Sequence, residues 1–145
     1  MFKHVLLPTD GSQPSESAIQ QGIALAKETQ GRVTAVHVVP PFHVFTYQPE
    51  MLEDTREQYA KDSQAKAAKI LQSVENAARA AGVPCDTVCA VSDEPYEAII
   101  RTAKEKGCDL IAMASHGHKG VKALLIGSET QKVLTHSHQP VLVLR

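Results

Sequence analysis

The chain has 145 residues, 43% of them hydrophobic and 21% charged, with a formal net charge of −1. That length supports one domain with a real core, and the near-neutral charge gives no global basic field to draw the chain to nucleic acid or to an anionic membrane. The N-terminal apolar stretch is short and breaks at Pro8-Thr9-Asp10-Gly11, and no run approaches the ~20 apolar residues of a membrane span, so a cytoplasmic protein is expected.

Strand and helix signals alternate along the chain. Val5-Leu6-Leu7, stopped by Pro8, reads as a buried first strand. Ser12 to Gln30 reads as a helix: Ala18, Gly22 and Leu25 recur at helical spacing beside Ile19, Ile23 and Ala26, Pro14 suits the first turn, and Gly31 suits the stop. Arg32 to Val39 is a second strand, and Pro40 to Glu50 an irregular piece. Met51 to Ala81 is a second helix with an apolar stripe through Ala67, Ile70, Leu71, Val74, Ala77, Ala78 and Ala81. Cys85 to Val91 is a third strand. Asp93 is placed to cap the next helix, with Pro95 in its first turn and Tyr96, Ile99, Ile100 and Ala103 on its buried face, and Gly107 ends it. Leu110 to Met113 is the fourth strand. A last helix starts near Ser128 and is expected to bury Thr130, Val133 and Leu134, and Pro140 opens the strand Val141 to Leu144. The cysteines, Cys85, Cys89 and Cys108, are odd in number and form no C-x-x-C pair, so they read as packing residues.

Apolar strands alternating with helices over a single domain define an α/β fold: a doubly wound, five-stranded parallel sheet with helices on both faces. Right-handed crossovers leave few strand orders. Order 3-2-1-4-5 is expected, with 2-1-3-4-5 as its rival. Such sheets bind ligands beyond the carboxyl ends of the strands, where the order reverses. In the first order that place lies between strands one and four, at Pro8-Thr9-Asp10-Gly11 and Ala114-Ser115-His116-Gly117, two polar, glycine-bearing turns. The second turn leads to Gly127-Ser128 at a helix start. There free amides and the helix dipole favour phosphate, Ser128 has a hydroxyl to donate, and Lys119 and Lys122 add positive charge. The same residues also read as a plain helix cap with solvated lysines.

Ala114-Ser115-His116-Gly117, nine residues, then Gly127-Ser128 resembles the nucleotide loop of the universal stress protein family, Gly-x-x-Gly, nine residues, Gly-Ser or Gly-Thr. The pair Gly117 and Gly120 does not fit, because only six residues separate Gly120 from Gly127. The N-terminal Leu-Leu-Pro-Thr-Asp-Gly-Ser, the strand Val36-His37-Val38 and the closing Gln139-Pro140-Val141-Leu142-Val143-Leu144 are similar to the family's too, so the resemblance spans essentially the whole chain. It implies a stress-response sensor or regulator holding ATP or AMP, with Mg²⁺ on the phosphates. Pro8, Thr9 and Asp10 would line the site, with Asp10 and the Val38 backbone at the adenine end. Met113, Ala114 and His116 would border the ribose and phosphates. Gly117, Gly127, Ser128 and the Glu129 amide would cradle the phosphates. The chain departs from the family's ATP-binding pattern at Ala114, where that pattern has glycine. If the position requires a positive φ, the alanine costs on the order of 1 kcal/mol.

The alternative is a dimeric interaction module of the same fold that binds no nucleotide. The resemblance also implies a homodimer through Val141–Leu144, and an apolar edge strand favours such pairing by itself. No Walker A string occurs. A haloacid-dehalogenase nucleophile would fall on Pro8, and a receiver domain's phosphoacceptor aspartate and its lysine are not where they are needed. His116, His118, His136 and His138 are too loosely spaced to define a metal site. Ser115 and His116 are neighbours at a strand end and are expected to point apart. At most slow ATP hydrolysis is expected, with no catalytic residue assigned. Phe42, Phe45 and Tyr47 are placed to cover a nucleotide or to pack on the long helix.

Overall fold

The computed structural model describes residues 1–42, 49–116 and 126–145, with side chains in the second helix from residue 55 onward. Its elements are β1 (His4–Pro8), α1 (Gln13–Glu28), β2 (Arg32–Val39), α2 (Pro49–Ala81), β3 (Cys85–Val91), α3 (Pro95–Lys106), β4 (Leu110–Ala114), α4 (Ser128–His136) and β5 (Val141–Leu144). The five strands are all parallel in the order β3-β2-β1-β4-β5. The expected order is therefore observed, and its reversal falls between β1 and β4.

Strand alternation divides the core into two layers. Val5, Leu7, Val33, Ala35, Leu110 and Ala112 meet Ile19 and Ile23 of α1 and Leu71, Val74 and Ala78 of α2. Leu6, Val36, Ile111 and Met113 meet Ile99 and Ala103 of α3 and Val133 of α4. Helices thus cover both faces, and each fully buried aliphatic side chain contributes roughly 1.5–3 kcal/mol of transfer free energy.

Several local expectations change. The segment from Pro40 to Glu50 is not irregular throughout, because α2 already starts at Pro49. Helix α1 ends at the C-cap Thr29, and Gln30, with φ 56°, takes the left-handed position expected of Gly31. Gly31 is required for another reason: a Cβ there would lie 2.5 Å from the Lys3 carbonyl oxygen. Asp93 does not cap α3. The N-cap is Glu94, without a side-chain cap, while Ser92 Oγ accepts from the Glu94 amide at 3.1 Å. Ala98 and Thr102 join Ile99 and Ala103 on the buried face of α3, leaving Tyr96 and Ile100 half-buried. Leu134 is not buried but 41% exposed. It lies a turn beyond Thr130, and the buried contacts of this short helix are made by Thr130 and Val133. The two sheet edges differ: β5 is Val-Leu-Val-Leu with Leu142 exposed, whereas β3 exposes Asp86 and Thr87 along with Cys89 and, at its end, Val91.

The amino end of the sheet is closed by polar groups. Asp109 accepts the amides of Lys3 at 2.8 Å and His4 at 3.0 Å. Burial pushes the Asp109 carboxyl up, but these amides outweigh it and the net direction is down. The buried His4 ring places Nε2 2.6 Å from Thr34 Oγ1. Among the described residues no buried side-chain nitrogen or oxygen lacks a partner. Burial, helped by Arg32 and Lys106 and opposed by Asp86 and Asp109, holds His4 below its ordinary 6.5. The unfolded chain therefore binds this proton more readily, and stability falls as pH drops below about 6.5. The melting temperature of the native chain is expected to fall between about pH 7.5 and about pH 5 more steeply than that of His4→Gln. Parallel melting curves of the two proteins across that interval check this.

Candidate functional site

The crevice opens where β1 and β4 part. They pair only at Val5↔Leu110 and Leu6↔Ile111. Beyond that, β1 stays with β2 as far as Pro8↔Val36, and β4 stays with β5 as far as Ala114↔Leu144. Pro8, Thr9 and Asp10 form one lip, and Ala114, Ser115 and His116 the other.

The first lip is rigidly held. The Thr9 amide donates to the Val36 carbonyl at 2.9 Å, and the Thr9 carbonyl accepts from His37 Nδ1 at 2.8 Å. A carbonyl only accepts, so Nδ1 carries the proton. Thr9 Oγ1 accepts from the Gly11 amide at 3.1 Å and from Ser15 Oγ at 3.0 Å. Asp10 Oδ1 accepts the Ser12 amide at 2.9 Å, fixing its carboxylate in the turn. Ser12 Oγ in turn caps α1 through the Ser15 amide.

Val38 gains its role from strand alternation. Val36 turns its carbonyl to Thr9, and Val39 turns its own to the Ser92 amide beyond β3. Successive residues address opposite neighbours, so the backbone of Val38 faces the β1 side, one step past the point where β1 leaves the sheet. It presents a donor and an acceptor to the crevice.

The second lip carries α4. The Gly127 amide donates to the Ser115 carbonyl, the Ser115 amide donates to Leu144, and Thr130 Oγ1 donates to the Ala114 carbonyl at 2.8 Å. A Cβ on Gly127 would sit 3.0 Å from the Ser115 carbonyl oxygen and 3.4 Å from His116 Cα, tight contacts, so the close approach of α4 favours glycine. Gly127 is the N-cap and supplies no side chain. The Gln131 amide is the first to find an intrahelical acceptor, Gly127, at 3.0 Å. The amides of Ser128, Glu129 and Thr130 precede it and have no carbonyl behind them in the helix. This donor set, at the positive end of the dipole, suits a phosphate.

Ala114 ends β4 and is not among the residues of positive φ, so its methyl group carries no backbone strain. Met113 is buried on the α3 and α4 face. Ser115 and His116 do not point apart: Ser115 Oγ lies 3.1 Å from His116 Nδ1, because Ser115 lies past the strand end in a bend where alternation no longer applies. Ser128 is exposed and Glu129 half-buried. Gly117, His118, Lys119, Gly120, Lys122, Phe45 and Tyr47 lie outside the described residues. Phe42 packs on the long helix, its ring centroid 5.3 Å from that of Tyr59. Burial pushes the Cys85 and Cys108 thiols up to about 11, and Cys89 up as well, which disfavours a reactive thiolate near neutral pH.

The sequence reading missed the anchoring hydroxyl of Thr130 and the His37 bond to Thr9. A hydroxyl in the buried stripe of a first helical turn and a histidine on an apolar strand were their only signals.

The universal stress protein family model matches residues 1–145, and the chain belongs to that family. It is 35% identical to universal stress protein YxiE of Bacillus subtilis, with both chains fully covered. The solved structure of MJ0577, a universal stress protein of Methanocaldococcus jannaschii, superposes with a TM-score of 0.85 at 27% identity, covering 99% of this chain and 96% of the other. Three structures share the fold at 19–22% identity and TM-scores of 0.63–0.72, over 98–100% of this chain and 90–98% of theirs; they are complexes with cAMP, dAMP and AMP.

Replacing Thr130 by valine removes the hydroxyl that ties α4 to the Ala114 carbonyl in a buried setting. Thr130→Val is expected to lower stability by about 1–2 kcal/mol, measured by urea denaturation.

Proposed function

We propose that this chain, acting as one cytoplasmic domain, binds an adenine nucleotide, ATP or AMP, and serves as a sensor or regulator in a stress response. The observation that carries this reading is the first turn of α4, whose N-cap Gly127 brings no side chain to its amides, held against Ser115 at the parting of β1 and β4. Its amides would receive the phosphates, with the Gly117 turn and Ser128 beside them. The Val38 backbone and Asp10 would take the adenine end, and Met113, Ala114 and His116 the ribose side. The complexes of fold relatives with cAMP, dAMP and AMP support this class of ligand. Mg²⁺ would ride on the phosphates rather than in a protein cage: among the described residues no three His, Cys, Asp or Glu side chains converge on one point. Turnover is slow at most.

The second reading, a dimeric interaction module without nucleotide, is favoured by the alanine at position 114. Heat-denaturing the freshly purified protein and analysing the released small molecules separates the two. Release of ATP, ADP or AMP, or a calorimetric signal with ATP and Mg²⁺, supports the nucleotide reading; neither would overturn it. Gly127→Ala, which forces a methyl group against the Ser115 carbonyl, is expected to weaken nucleotide binding by about tenfold or more, read by the same calorimetry.

Both readings include a homodimer through β5. This edge strand is apolar, and Leu142 is 38% exposed. Among the described residues no helix is long and apolar enough to cross a membrane. Leu142→Asp is expected to convert the dimer to a monomer by light scattering at unchanged fold. A wild-type chain that is already monomeric would refute the dimer.

A further inference from the structure

Glu129 sits in the first turn of α4, where a carboxylate ordinarily complements the dipole of its own helix. Here it serves another helix. Pro95 has no amide hydrogen, and the N-cap Glu94 makes no side-chain cap, so the Tyr96 amide is the first orphan donor of α3. Glu129 Oε2 accepts it at 3.1 Å. The grip continues along one edge of α4. Lys132 Nζ lies 3.4 Å from Glu129 Oε1, 4.0 Å from Glu94 Oε2 and 5.7 Å over the Tyr96 ring. His136 stacks on that ring at 5.0 Å. The lysine pairs are exposed and contribute little. The carboxylate on a helix-terminal amide is the strong contact, being charge-assisted and aligned with the dipole of α3.

We propose that Glu129 is a positioning residue: by capping α3 from across the interface it locks the first turn of α4 in place and draws its own charge away from the amides that would meet phosphate. The inference rests on the nucleotide reading above. A carboxylate curled back over its own helix end would occupy those donors and repel an anion. Held on Tyr96 and flanked by Lys132, it is committed to α3 instead. The neighbouring anchors, Gly127 on Ser115 and Thr130 on Ala114, fix the turn to β4; Glu129 fixes it to α3, so the turn is braced from both sides.

The test compares the wild type with Glu129→Ala and Glu129→Gln, the latter keeping an acceptor oxygen for the Tyr96 amide. Two readouts are used: hydrogen exchange at the Tyr96 amide without ligand, and calorimetric affinity for adenosine, AMP and ATP. In Glu129→Ala the Tyr96 amide is expected to exchange about tenfold faster or more. AMP and ATP are expected to bind about tenfold more weakly, with adenosine changed less than about twofold. Glu129→Gln is expected to restore both readouts to within about threefold. Unchanged exchange or unchanged AMP and ATP affinity in Glu129→Ala overturns the proposal, as does an equal loss of adenosine and AMP, or a glutamine that restores neither. A wild type that binds neither AMP nor ATP defeats the nucleotide reading and with it the positioning role, and the Tyr96 exchange then reports on the inter-helix cap alone.

Discussion

Every feature of the crevice depends on the separation of β1 from β4 after two paired residues. Right-handed crossovers send α1 and α2 to one face and α3 and α4 to the other, so the two halves of the sheet wind away from a common seam. Past the last shared rung the two strands no longer meet each other: Thr9 turns its backbone to Val36 and His37, and Ser115 turns its own to Leu144 and Gly127. The Val38 backbone on one side and the bend at Ser115 on the other are direct results. No special residue creates the opening; the winding does. What the residues add is precision of placement.

That precision is built from many small bonds. Around Thr9, an amide, a carbonyl and a hydroxyl are all engaged, by Val36, His37, Gly11 and Ser15. Each such bond contributes only about 1 kcal/mol net. Their value lies in over-determination: no single torsion of the turn moves without breaking several of them. On the opposite lip the same logic uses packing. Gly127 brings backbone against backbone, and a side chain there would crowd the Ser115 carbonyl by a few tenths of an ångström.

The architecture was legible in the residues because its signals are local. Arg32–Val39 and Cys85–Val91 are apolar-rich runs bounded by Gly31, Pro40, Pro84 and Ser92, and the observed strands end where those runs end. Handedness narrowed the strand order to a few, and the rival 2-1-3-4-5 was separated from the observed order only by the pairing of β1 with both β2 and β4. The site was legible in outline, since glycine-bearing turns at strand exits mark where a chain must bend sharply. What escaped was decided by contacts distant in sequence. Asp93 has the side chain of a helix cap, yet the Tyr96 amide is satisfied from position 129. Leu134 fits the periodicity of a buried face, but the short helix α4 lies against the sheet only near Thr130 and Val133. Ser115 and His116 obey strand alternation on paper, and the bend at Ser115 cancels it.

The unlike edges of the sheet bear on how far self-association can proceed. An apolar strand closes one end, Val141 to Leu144, while the other end interrupts its apolar run with the exposed Asp86 and Thr87, with Val91 exposed at its tip. A sheet with two sticky ends would add copies indefinitely and grow into filaments. In the homodimer proposed above, β5 would pair with β5, use up that apolar strand on both molecules and leave the Asp86-bearing edges outward, so growth would halt at two. On that proposal the short run of β-branched and leucine side chains in β5 would also act as a stoichiometric stop, and a charge placed on it would be felt in solubility before it was felt in the core.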